Sequence, residues 1–135
     1  MSEQAGDGGG DRGSGDDRQR LGRWGERLAA DYLERRGYRV LERNVWRREG
    51  EIDLVAVHGE TLVFVEVRIR RRGAMGKAVE SLTPAKQRRL RKLATVYSAE
   101  HPELPADLRI DLVAIELGPD GRLGDVQHVE SAVED

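Results

Sequence analysis

The chain contains no cysteine, which excludes disulfides, thiolate zinc sites and cysteine nucleophiles. No stretch approaches the ~20 apolar residues of a membrane span, and the N-terminus lacks the apolar segment of a secretory signal. A soluble, cytoplasmic protein without membrane association is expected. Lysine is scarce: among 23 basic residues only Lys77, Lys86 and Lys92 are lysine, as expected of an arginine-rich proteome. His58, His101 and His128 lie at turns or near the C-terminus without metal-ligand spacing, so no chemistry is expected of them.

What is present is a chain of 135 residues, 38% hydrophobic and 36% charged, which suits one domain with a modest core. The formal net charge of −2 conceals strong segregation, with −4 over residues 1–17, +9 over 18–100 and −7 over 101–135. A basic middle of that size suits a polyanion such as nucleic acid, and it equally suits a well-solvated surface.

Residues 1–17 are rich in glycine and acid with little to bury, which predicts a disordered tail. From about Arg18, Leu21, Trp24, Leu28, Ala29, Tyr32 and Leu33 recur at helical spacing, and Gly37 stops that helix. YRVLERNVW reads as a strand, with Tyr38, Val40 and Leu41 on its buried side. IDLVAV and TLVFVEVRIR around HGE read as a hairpin. RRRGAMGKAVESL is a polar connection with room for one short helical turn. Thr83-Pro84 opens a second helix that Pro102 ends. LRIDLVAIEL is a further strand, and DVQHVES an optional last one. The expected fold is α/β, in the order α-β-β-β-α-β, with an antiparallel hairpin central to a sheet flanked by helices. The domain is expected over 18–130, with 131–135 as an acidic C-terminal tail.

The hairpin carries an anomaly, because Glu66 interrupts one apolar run and Asp53 immediately precedes the other. Burying an unpaired carboxylate costs several kcal/mol or more. If Val57 faces Leu62 across the turn, Asp53 falls opposite Glu66, with Cβ atoms about 4.5–5.5 Å apart. Carboxylates that close need a cation or a shared proton. Arg68, two residues beyond Glu66, faces the same side of its strand. One reading is a register-fixing cluster neutralised by Arg68 or Arg70. The other is a magnesium or manganese site with Asp53 and Glu66 as ligands and Arg68 as a fixed cation, suited to phosphodiester hydrolysis.

The segments GRWGERLAADYLERRGYRVLERNVWRREGEIDLVA, LVFVEVRIR, TPAK and RIDLVAI, within about residues 20–117, resemble the YraN-like family of bacterial proteins. That family is assigned to the PD-(D/E)xK, restriction-endonuclease-like nuclease superfamily and is distantly similar to archaeal Holliday-junction resolvases. The resemblance implies a restriction-endonuclease-like three-layer core and a metal-dependent endonuclease using Mg2+ or Mn2+ on structured or branched DNA. It makes Asp53 the first acid, Glu66 the second, Arg68 the occupant of the lysine position and Glu26 the acid on the first helix. Glu51, in GEID, becomes an accessory residue, and Arg70 and Lys86 become phosphate contacts. Resolvase-like members act as dimers on a two-fold substrate, which leaves a homodimer open. The sequence departs from the family at EVRIR, where members usually carry EVKxR. Arginine can hold phosphate but cannot act as a base at neutral pH. Non-catalytic nucleic-acid binding on the same fold is therefore the alternative, and a protein-interaction domain the third reading.

Overall fold

The computed structural model describes residues 10–74 and 76–134. Helix α1 (Gly10–Arg35) leads into strands β1 (Arg39–Arg47), β2 (Gly50–His58) and β3 (Thr61–Arg71). A 3-10 turn (Ala78–Ser81) and helix α2 (Pro84–Glu100) follow, then β4 (Asp107–Leu117) and β5 (Leu123–Val133). The strands form one sheet in the order β1-β2-β3-β4-β5. Among the described strands only β3 and β4 pair in parallel. A parallel pair needs a long crossover, and here it is the connection that carries α2.

The α/β expectation holds, with the β2–β3 hairpin in the interior of a mixed sheet. Its strands are nearly continuous hydrophobic runs because both faces are covered. On one face Ile52, Val55, Leu62, Phe64 and Leu112 pack against Leu90, Leu93, Ala94 and Tyr97 of α2. On the other, Leu54, Ala56, Val63, Val65, Val113 and Ile115 pack against Ala29, Ala30 and Leu33 of α1. Thr83 caps α2, accepting from the Lys86 amide at 3.2 Å, with Pro84 at the first turn. Gly37, at φ +91, lets the Tyr38 and Gly37 amides reach the carbonyls of Leu33 and Glu34, which closes α1.

Two boundaries and one side-chain face differ from those predicted. Helix α1 begins at Gly10 rather than near Arg18; residues 1–9 of the expected tail lie outside the described residues. The apolar stripe marks only the packed part of α1; residues 16–20, ahead of it, are exposed and hold an Asp17–Arg20 ion pair at 2.7 Å. In β1, a register shift between Val40 and Glu42 sends Leu41 to the α2-side core while Tyr38 and Val40 join the α1 side. Finally, β5 runs through Val133, which is buried and pairs with Ile110. Residues 131–133 thus belong to the sheet rather than to an acidic tail. A register shift opposite Asp111 lets the strand continue, with Ser131 at φ +53.

Helix α1 lies close to the sheet at Gly25. A Cβ there would stand 2.6 Å from Ile69 Cδ1 and 3.0 Å from its Cγ1. Gly25→Val is therefore expected to cost about 1–3 kcal/mol through overpacking, measured as a lower urea midpoint. An unchanged midpoint would show that the Ile69 side chain or α1 itself gives way at this contact.

Candidate metal and phosphate site

The site forms where β2 and β3 part. The hairpin turns at Gly59, φ +61, and pairs Val57 with Leu62 as predicted, the register continuing to Leu54 and Val65. One residue further the ladder yields to a side chain: the Val67 amide donates to Asp53 Oδ2 at 2.8 Å. This fixes the Asp53 carboxylate beside that of Glu66, and the titrations of the two acids influence each other.

Glu26 approaches from α1 and Glu51 from the start of β2. One carboxylate oxygen each from Glu26, Glu51 and Asp53 lies within 4.8 Å of the others. No cysteine or histidine enters the group, so the donors are all oxygen, the set that suits Mg2+ or Mn2+. Burial, then the charge of Glu66, pushes Asp53 up to about 8; Glu26 and Glu51 add to the rise, and the Val67 amide opposes it. Burial likewise raises Glu51, with Glu26 and Glu66 contributing. Glu66 is raised by burial against the opposing pull of Arg68 and Arg89. These acids can share protons or be neutralised by a cation.

The cations stand on the Glu66 side. Arg68 Nη2 is 3.2 Å from Glu66 Oε2. Its Nε is buried and has no hydrogen-bond acceptor among the described residues. Lys86, in the first turn of α2, brings Nζ to 3.8 Å from the same Glu66 oxygen. Arg70 points elsewhere, donating from Nη2 to the Gly76 carbonyl at 2.8 Å. Of the residues singled out in the sequence, Glu26, Glu51, Asp53, Glu66, Arg68 and Lys86 converge, while Arg70 serves the β3–α2 connection. The three-carboxylate group contains Glu51, expected only as an accessory, and Glu66 sits between that group and the cations.

Sequence reasoning missed Arg89. Its aliphatic stem runs along Gly50, where a Cβ would meet Arg89 Cδ at 3.0 Å. The available signal was its position three residues after Lys86, on the same face of α2. It also missed Asp111 and His128. Asp111 is fully buried on the α1 side of the sheet. Its Oδ1 accepts from Arg109 Nε at 2.9 Å and the Ser131 amide at 3.0 Å. Its Oδ2 accepts from Arg109 Nη2 at 3.0 Å and lies 2.8 Å from His128 Nε2. Burial opposes its ionisation, but the bonds from His128, Arg109 and Ser131 prevail and hold it below the usual carboxylate range. With both oxygens engaged, this cluster pins β5 to β4.

No described helix is long and apolar enough to cross a membrane. Residues 25–115 match the family model described as "Uncharacterised protein family UPF0102". A UPF0102 protein of Symbiobacterium thermophilum is 50% identical over 105 residues, covering 78% of this chain and 89% of that protein. A UPF0102 protein of Roseiflexus castenholzii is 50% identical over 121 residues, covering 87% and 96%. One from Anaeromyxobacter dehalogenans is 50% identical over 110 residues, 82% of each chain. The family match spans the acids of α1, β2 and β3 and the cations of α2, and the YraN-like family suggested by the sequence is the one these relatives define: the chain belongs to the UPF0102 family.

Proposed function

We propose that this protein is a metal-dependent nuclease that hydrolyses phosphodiester bonds in structured or branched DNA. One observation carries the reading: three carboxylates from α1 and β2 meet beside Glu66, and Arg68, with an unpartnered buried Nε, stands on the other side of Glu66. A register-fixing cluster would bring compensating cations to its acids, whereas burial and the nearby carboxylates of Glu26 and Glu66 raise the proton affinity of both Glu51 and Asp53. Glu26, Glu51 and Asp53, with Glu66 adjoining, would hold Mg2+ or Mn2+. A bound ion would lower the pKa of a coordinated water and take up charge on the scissile phosphate.

The remaining work falls to the chain. The exposed part of the Arg68 guanidinium donates to a phosphate oxygen and stabilises the charge that develops there. Glu66 orients Arg68 and Lys86 at once, so their positive charge lies along one side of the phosphate. Arginine stays protonated, so Arg68 cannot take the proton of the attacking water. Lys86, 3.8 Å from Glu66, would be the displaced lysine that contributes a second positive charge from α2.

The test is cleavage of branched and linear DNA with and without Mg2+ or Mn2+. Cleavage of branched DNA that requires the ion is expected. Arg68→Ala is expected to lower it by about 10²–10³-fold, and Arg68→Lys to retain or raise it. If Arg68→Ala cleaves as well as wild type, Arg68 has no part in the reaction, and Lys86→Ala becomes the decisive variant. A second reading follows from the same residue. Should wild type and Arg68→Ala be inert while binding DNA, and Arg68→Lys cleave, the protein is a non-catalytic nucleic-acid-binding module on a nuclease fold.

A further inference from the structure

Trp46 is 66% exposed, in a chain with only six aromatic residues. The other five all pack: Phe64 and Tyr97 in the α2-side core, Trp24, Tyr32 and Tyr38 in the α1-side core. Trp46 is the most exposed of the large hydrophobic side chains among the described residues, and a bare indole suits flat, apolar faces. Its position narrows the ligand. Trp46 lies on the edge strand β1 and pairs directly with Glu51 of the carboxylate group. It walls a cleft of about 350 Å³ between α1 and β1, whose floor carries Glu26 and Glu51 and whose rim carries Gln19, Arg23 and Asn44. Arg47 Nη1 donates to the Trp46 carbonyl at 2.7 Å, and its guanidinium is held by Glu100 at 2.6 Å, which braces the strand beneath the indole.

We infer that this cleft receives an unpaired nucleobase, stacked on Trp46, from the nucleotide next to the bond held at the carboxylate group. The inference rests on the nuclease reading and adds what the substrate must look like. Every base has a π-face, so stacking on an indole is tolerant of sequence. Arg23, Gln19 and Asn44 offer hydrogen-bond donors to a base edge. In an intact duplex both faces of each base are covered by neighbours; only a single-stranded, flapped or flipped-out nucleotide can present one to Trp46. The cleft would thus select junctions between paired and unpaired DNA.

Intrinsic fluorescence tests this independently of cleavage. In a Trp24→Phe background Trp46 is the sole indole, and oligothymidylate can be titrated against it in EDTA, beside a blunt duplex of equal length. Quenching by the single strand and not by the duplex is expected, and Trp46→Ala should weaken single-strand affinity by about 5- to 150-fold, with Trp46→Phe retaining most of it. Since Trp46 is exposed, the circular dichroism of Trp46→Ala should match wild type. Unquenched emission, or equal single-strand affinity in Trp46→Ala, would overturn the inference. Quenching in a protein that cleaves nothing would support the base site while removing the nuclease reading; cleavage indifferent to Trp46→Ala, with no quenching, would do the reverse.

Discussion

Asp53→Asn is expected to stabilise the metal-free fold near pH 8 and to abolish metal-dependent cleavage. The carboxyl of Asp53 is raised from 3.8 to about 8, by burial first and by Glu66 next. Between those values the folded protein holds a proton that the unfolded chain has released. Stability therefore falls as pH rises through this window, by at most about 1.4 kcal/mol per pH unit from this group, and the loss is complete above the folded value. Asparagine does not titrate there, so the decline should flatten. A residual slope of the same sign should remain, because Glu51 and Glu66 are also raised. A bound divalent ion favours the deprotonated acid and releases protons as it binds. Mg2+ or Mn2+ should thus raise wild-type stability at pH 8 and have far less effect on Asp53→Asn. Loss of a direct ligand should reduce cleavage by about a hundredfold or more. Urea denaturation across pH, with EDTA or with the ion, reads the first part, and calorimetry the binding. An Asp53→Asn variant less stable than wild type at pH 8 in EDTA, or equal ion binding by both, would refute this account of the site.

The second large effect lies where β4 meets the edge strand β5. Asp111→Ala is expected to cost about 3–5 kcal/mol, because it strands Arg109 and His128 next to a fully buried site and releases the Ser131 amide that holds the strand irregularity. The carboxyl of Asp111 is depressed, so its contribution is present above the ordinary carboxylate value and is lost as pH falls below it. Strand β5 would loosen first, since it lies at the sheet edge and Asp111 bonds to both His128 and Ser131 within it. Hydrogen exchange should show lost protection over 123–133 before the β2–β3 hairpin is affected. A stability change under about 1 kcal/mol would mean that the network is dispensable and β5 is held by its backbone ladder alone.

Much of this architecture is written locally. The apolar stripe from Leu21 to Leu33, the stop at Gly37, the cap at Thr83-Pro84 and the strand runs each depend on residues within one or two turns of chain. The turn at Gly59 is equally local, and through it the register that brings Asp53 toward Glu66. A fixed turn sets every later pairing in a hairpin. The acids and Arg68 were therefore legible as neighbours. The last strand was legible only as the optional DVQHVES segment and not to its full extent, because its pattern is diluted by polar side chains and interrupted at Ser131, and its anchor, Asp111, lies on a different strand.

Sequence alone determined the order of elements, the hairpin register and the placing of two carboxylates and an arginine on it, because these follow from short-range periodicity and turn chemistry. Tertiary structure decided everything that depends on packing between distant segments. The close approach at Gly25 brings α1, and Glu26 with it, to Glu51 and Asp53. The parallel pairing of β3 with β4 is bridged by α2, and the docking of α2 aims Lys86 at Glu66. Whether Trp46 is core or surface depends on what covers β1, and β1 is the edge of the sheet. No residue close to any of these in sequence encodes them. They arise because two apolar helix faces can bury themselves only on opposite sides of one sheet, and the charged side chains that remain meet where the hairpin opens.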